Sequence, residues 1–381
     1  MKFHKNYFKA IAVMVGYIIG VGMFSLPYLV AKVGVLGFFF WLAILVPVQH
    51  VIHLVYASMI LATKKYHRLT GYAGIYLGPS GKFLVFIAKM IGNYGALLAY
   101  IIITGIFLHQ LLSPIFGGSE FFYATVLFAI EAIIIYFGIG MIARAELFMT
   151  GLLLLVVMLV AWRGWGVIEI SNYHVFDWKY FLLPYGAMLF ALDGNGSLPM
   201  VAKLIKRDKK CFKSVIRAGY ALSVLVIIAF TLLVVGISGS LTTPDALTGI
   251  NQMIGNGVVF FALIFGVLTM ITSFFGVAES VRETFMWDFN VNKKVAWALA
   301  VLVPFVFYVL GVRNLSEVVS LAGAVAGGLC AIMMFLIYLK MKKTKNKSEF
   351  FKYSASNHLI YVLIAMFVCG VVYEIYYFLI K

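Results

Sequence analysis

Charged side chains are scarce in this sequence. They make up 12% of its 381 residues, against about a quarter in soluble domains. Hydrophobic residues account for 64% and mean hydropathy is +1.03, so no stretch is long and polar enough to fold as a separate soluble domain. Acidic residues are scarcest, 14 against 30 basic ones. Cysteine is almost absent: Cys211 lies in a basic loop, and Cys330 and Cys369 lie inside apolar runs. Three such positions give no disulfide framework and no metal-ligand spacing. No small-residue cleavage site follows the first apolar run, which therefore reads as a retained helix and not as a signal peptide.

What is present instead is a succession of apolar runs of about 20 residues, enough to cross a hydrocarbon core of roughly 30 Å. The sequence predicts an all-α polytopic membrane protein with eleven spans: 8–31, 36–62, 82–112, 120–141, 145–166, 181–204, 214–238, 256–284, 294–311, 316–340 and 357–379. Connections are short, so residues 1–381 are expected to form one transmembrane domain. The stretch 62–82 is expected to hold a short helix lying on the membrane, and 238–257 a partly ordered loop.

The net charge of +16 follows topology and gives no reason to expect nucleic acid as a partner. Alternate loops collect Lys2, Lys5 and Lys9, then Lys64, Lys65 and Arg68, then Arg144. The same side continues with Lys206, Arg207, Lys209, Lys210 and Lys213, then Lys293 and Lys294, and finally 340–352. The opposite loops hold little beyond Lys32, Arg163, Lys179, Arg313 and Lys381. This positive-inside pattern predicts a cytoplasmic N-terminus and an external C-terminus in the cell (inner or plasma) membrane.

Two spans are interrupted. The first reads GYIIGVGMFSLPY over 16–28, and the sixth reads PYGAMLFALDGNGSLPMV over 184–201. In lipid every backbone N–H and C=O needs a partner, so irregular backbone survives only where it lines a cavity or is buried in protein. Gly16 and Gly20 alone would also suit tight helix packing. With Gly22, Pro27 and the echo in the sixth span, a broken helix is the better reading. Matching interrupted spans in two halves point to a transporter's binding site. The free N–H groups of one half-helix attract an anion and the free carbonyls of the other attract a cation. A zwitterion suits both, and glycine lets its backbone approach.

These residues carry a family resemblance. GVGMFSLPY (20–28) resembles the first-helix signature of the amino acid/polyamine/organocation transporter superfamily. TMITSFFGVAESVRETFMWDF (269–289), NYGALLAYIIITG (93–105) and LAGAVAGGLCAIMMFLIYLK (321–340) resemble the bacterial tryptophan/tyrosine permeases. The aspartate-bearing DGNGSLP of the sixth span departs from that branch. The resemblance implies a LeuT-type fold of 5+5 inverted repeats with discontinuous helices 1 and 6. Repeat one would cover about 8–166, repeat two about 181–340, and an extra helix about 357–379. It implies that the amides of Val21 and Gly22 bind a substrate carboxylate, with Tyr17 and Ile18 beside it. Carbonyls around Phe190, Ala191 and Asp193 would hold the ammonium, and Tyr100, ahead of Tyr94, would cap the site. A sodium site would use Gly16, Ile19, Thr269, Thr272 and Ser273. Many relatives are proton-driven, so the coupling ion is expected to be Na⁺ or H⁺, and no other cofactor is implied. Spans 1, 2, 6 and 7 would rock against a scaffold containing 3, 4, 8 and 9.

Ionisable residues inside a membrane are functional suspects. Asp193 can bind a substrate ammonium, carry a proton, or cap the outer half-helix. Glu279 and Arg282 are spaced for an ion pair, Lys89 is placed to snorkel to the cytoplasmic interface, and Glu131 is too central for easy escape. His50 and His53, an i, i+3 pair without a third ligand, read as packing or hydrogen-bonding residues. A membrane enzyme would have to use them with Glu131, and no nucleophile–base pair supports it. The expected function is ion-coupled import of a neutral, aromatic or apolar amino acid, with the substrate and the lipid bilayer as partners. The alternatives are a cationic amino acid or polyamine carrier, and a substrate sensor that does not transport.

Overall fold

The computed structural model describes residues 6–137, 142–254, 256–344 and 356–380. The basic residues Lys2, Lys5 and those of 345–352 lie outside them, as does the side chain of Arg144.

The first span is broken as expected. Helices α1 (Tyr7–Ile18) and α2 (Val21–Val33) meet at a 48° bend. The cause is local: Gly20 takes extended backbone, and its N–H turns to the Ile18 carbonyl at 3.1 Å, where a continuing helix would use Gly16. α3 (Val35–Ala62) follows directly. The next helix, α4 (Leu69–Phe116), includes a sharp kink at Gly78, whose φ of +79° favours glycine. The short helix expected within 62–82 is thus the arm 69–77 of α4, continuous with the third span.

α5 (Glu120–Phe137) and α6 (Ile142–Gly164) lead to a connection with three short 3₁₀ turns. This connection is pinned to the ends of other helices, since Val35 N–H donates to His174 and Glu169 N–H donates to Gly236. The sixth span is also broken, into α7 (Pro184–Ala191) and α8 (Leu198–Leu204). Prolines start both pieces, where their missing N–H is no loss. α9 (Lys209–Ser238) follows, capped by Asp208 through the Cys211 N–H. The segment expected to be a partly ordered loop contains a defined helix, α10 (Leu247–Ile254), amphipathic and docked on α9 and α11. α11 (Asn256–Glu283), α12 (Lys293–Val309) and α13 (Leu315–Leu321) come next. A π-helical turn at Ala322–Gly327 joins α13 to α14 (Gly328–Thr344), and α15 (Asn357–Ile380) ends the described chain.

Among the described residues, seven helices are long and apolar enough to cross a membrane, or eight if the bent α1–α2 pair is one span. Large apolar side chains such as Ile130, Phe137, Val362 and Tyr376 are exposed on the outer faces, where a bilayer would cover them. Inside, α1 packs on α8 and α9, while α2 packs on α7 and α9. The two broken spans therefore run in opposite directions, break beside break. α4, α11 and the π turn close around them. The backbones approach very closely there: a Cβ on Gly323 of the π turn would overlap the Gly186 carbonyl of α7.

Candidate functional site

The site follows from what the two breaks do to the backbone. At the end of α1 the Gly16 carbonyl loses its helical donor, because Gly20 N–H has turned to Ile18. At the start of α2 the N–H groups of Val21 and Gly22 precede any possible intrahelical acceptor. At the end of α7 the Ala191 carbonyl also loses its helical donor, because Asn195 N–H donates to Asp193 Oδ1 at 2.9 Å. Phe190 differs from expectation in part, since its carbonyl accepts the Asp193 N–H at 3.2 Å. The two ends meet at Gly22: a Cβ there would stand 2.7 Å from Ala191 Cα and 3.0 Å from Phe190 Cδ1. Glycine is required for this close approach.

A cavity lies beside this junction. Tyr17, Ile18, Gly22, Tyr100, Phe190 and Asp193 all line it. Val21 and Ala191 do not; both are buried under it, so a role for them would be through the backbone alone. Tyr100 stands with its hydroxyl against Gly20, whereas Tyr94 donates to the Leu299 carbonyl at 3.0 Å and faces α12.

Asp193 acts as the local cap. Its Oδ1 accepts from both the Asn195 N–H and, at 2.5 Å, Asn195 Nδ2. The bonds fall on the 3₁₀ turn Asn195–Ser197, which leads into α8 and then into the basic loop Lys206–Lys213. His53 holds the same loop: its Nε2 accepts the Gly194 N–H at 3.0 Å. That hydrogen bond defines the role of the HVIH pair, together with the stacking of His50 on Tyr220. Among the described residues no group of three or more His, Cys, Asp and Glu side chains is placed to hold a metal.

Of the five residues expected at a sodium site, none lines the cavity. Ser273 Oγ lies close to Gly20, which brings α11 to the α1 break, and Thr269 and Ser273 are buried. Thr272 donates to the Thr269 carbonyl at 2.9 Å, which leaves its oxygen lone pairs available. Gly16 and Ile19 contribute the adjacent end of α1.

Sequence reasoning missed much of the wall. Gln49, Asn93 and Asn195 line the cavity, each at least nine-tenths buried, and Gln49 Oε1, Asn93 Nδ2 and Asn195 Oδ1 have no hydrogen-bond partner among the described residues. Gln49 Nε2 is turned to the Leu189 carbonyl, which fixes the amide's orientation. The opposite walls are small: Ala88, Gly92 and Ala96 on α4 face Ala322, Ala326 and Gly327 on the tenth span. The signal was available as polar residues and i, i+4 small residues inside apolar runs. Lys89 also lines this cavity, which corrects the expectation that it escapes to the interface.

Towards the basic side, Arg68 closes a second, smaller chamber. It donates to Glu283 at 2.5 Å and to the Gly196 carbonyl at 2.9 Å, tying the start of α4 to α11 and to the break before α8. Glu279 and Arg282 form the expected ion pair at 2.8 Å. Glu131 is buried, and no hydrogen bond or ion pair engages it among the described residues.

Comparison with known proteins decides what this arrangement belongs to. The sequence pattern of the tryptophan/tyrosine permease family matches residues 4–374. The chain belongs to that family. Among solved structures, this permease is similar to MhsT in complex with L-phenylalanine, with a TM-score of 0.65 over 98% of both chains at 16% identity. It is also similar to Mhp1, a nucleobase-cation-symport-1 family transporter in a closed conformation with bromovinylhydantoin bound. There the TM-score is 0.65 at 13% identity, over 97% of this chain and 90% of that one. At such identities the likeness shows the LeuT-type fold alone. A search of curated protein sequences finds no match. The permease is a multi-pass membrane transporter with discontinuous helices 1 and 6, as the first- and eighth-helix motifs implied.

Proposed function

We propose that this permease imports a neutral, aromatic or apolar amino acid by ion-coupled symport across the cell membrane, with its N-terminus cytoplasmic. The observation that carries this reading is the contact of Gly22 with Ala191 beside the cavity. It sets the amides that open α2 against the carbonyls that end α7. A carboxylate and an ammonium on one carbon match that pair of ends, which an isolated cation or anion would not. The small residues on α4 and the tenth span leave room for a flat side chain, and the family is one of aromatic amino acid permeases. Alternating access would move the broken spans with their neighbours against the rest.

The test is radiotracer uptake of tryptophan in proteoliposomes, with competition by tyrosine, phenylalanine, leucine, lysine and putrescine. The three aromatic amino acids are expected to compete best. A win for putrescine or lysine would transfer Asp193 to the role of cation receptor and overturn the reading.

The coupling ion is read from the same preparation. If sodium occupies the α1–α11 site, Thr272→Val with Ser273→Ala will remove sodium stimulation of uptake while sodium-free exchange persists. Equal sodium dependence in the double variant and the parent would exclude those hydroxyls as ligands.

A further inference from the structure

The start of α4 is buried without a cap. Leu69 and Thr70 open the helix, so their N–H groups precede any intrahelical acceptor, and the side chain of Arg68 at the cap position accepts from neither. The Arg68 carbonyl is taken by the N–H groups of Gly71 and Tyr72. Leu69 is 3% exposed and Thr70 0%, so bulk water does not serve the two amides. Thr70 Oγ1 is buried too, with no hydrogen-bond partner among the described residues. A helix end in this condition lacks an acceptor.

The chamber closed by Arg68 lies against this helix end. Leu69, Thr70, Arg68 and Lys89 all line it. Lys89 comes twenty residues after Leu69, about 30 Å along a straight helix, so the kink at Gly78 is what brings both to one small space. The charge of Arg68 is matched by Glu283, through Nε and Nη2, while Nη1 donates to the Gly196 carbonyl. The positive charge of Lys89 is not matched: no hydrogen bond or ion pair engages its amine among the described residues. Among the described residues no carboxylate lines the chamber, and Asp193 lines only the central cavity. Donors thus gather around one uncompensated positive charge at a helix N-terminus, where an anion is stabilised.

We propose that this chamber binds a small monovalent anion, a halide, at the start of α4. The amides of Leu69 and Thr70 and the Thr70 hydroxyl donate to it, and Lys89 balances its charge. The chamber has room for about one water-sized species, so a substrate carboxylate, which brings its side chain along, is too large. Bound there, the ion joins the folded-back arm of α4 to the third span and braces the contacts of Arg68 with Glu283 and Gly196. The site is separate from the junction at Gly22 and from the α1–α11 cation position, so it stands independently of the substrate reading.

The experiment is a thermal melt of the purified full chain, with sodium and ionic strength held fixed while gluconate is replaced by chloride or bromide. The parent is expected to melt at least about 3 °C higher in either halide, with a shift that saturates. Thr70→Val keeps the shape and the amide but loses the hydroxyl, and should need about tenfold more chloride for half the shift. Thr70→Asp sets a carboxylate at the same helix end, and should melt alike in chloride and gluconate. Equal melting of the parent in halide and gluconate would overturn the proposal and leave water as the acceptor. An unchanged half-saturating concentration in Thr70→Val would also overturn it, by showing an adventitious ion only. Should Thr70→Val fail to fold, Thr70→Asp decides alone: loss of halide dependence supports the site, and parent-like dependence removes it. A last titration adds saturating tryptophan. A halide shift that persists supports the assignment, whereas its disappearance would give the chamber to the substrate carboxylate. The melt itself needs no substrate, so a failure of tryptophan transport would leave this result standing.

Discussion

Gly22→Ala is expected to weaken substrate binding about 100-fold, the loss that a misplacement near 1 Å produces when geometry matters. The added Cβ would stand 2.7 Å from Ala191 Cα and 2.9 Å from its Cβ. One of those neighbours is backbone, so α2 must shift away from α7 and the amides lose their position against the carbonyls. Overpacking of this kind costs about 1–3 kcal/mol of stability, small enough for the protein to insert and fold. Gly22→Leu should abolish binding altogether. Equilibrium binding of labelled tryptophan to purified protein, with a thermal melt on the same sample, separates the two effects. Parent-like affinity in folded Gly22→Ala would end the backbone-amide account of the site.

The second large effect is expected at Asp193, where two variants divide structure from charge. Asp193→Ala removes the acceptor of two hydrogen bonds from Asn195 and should cost about 0.5–2 kcal/mol, as loss of a capping side chain does. Asp193→Asn keeps an acceptor oxygen for the Asn195 N–H, so its melting temperature should stay close to the parent's. Both are expected to lower uptake at least tenfold, because both remove the one carboxylate that lines the cavity among the described residues. Full uptake by Asp193→Asn would reduce Asp193 to a cap. Equal destabilisation of the two variants would show instead that the pairing with Asn195 Nδ2 needs the full charge.

Much of this was legible in the residues. The breaks near Gly20 and Asp193 could be read because a helix in oil has one way to satisfy its backbone, and glycines beside proline remove it. Gly22 and Tyr100 were placed through motif resemblance. The Glu279–Arg282 pair was legible because three residues apart on a helix are neighbours whatever surrounds them. Lys89 was misread for a related reason: its position in the span allowed escape to the interface, and only the rotation of α4 shows that it faces inward. His53 was legible as a packing or hydrogen-bonding residue, but not its partner, the Gly194 N–H, which lies 141 residues along the chain.

By itself the sequence determined that this is a many-spanned helical protein, where two of the spans break, and that basic residues collect in alternate loops. Those properties answer to the solvent and to near neighbours along the chain. Tertiary structure alone decided that the breaks lie side by side, that Gly22 touches Ala191, and that the small faces of α4 and the tenth span enclose a cavity. The face a helix turns inward depends on packing between distant segments, and an apolar span offers similar hydropathy all the way round.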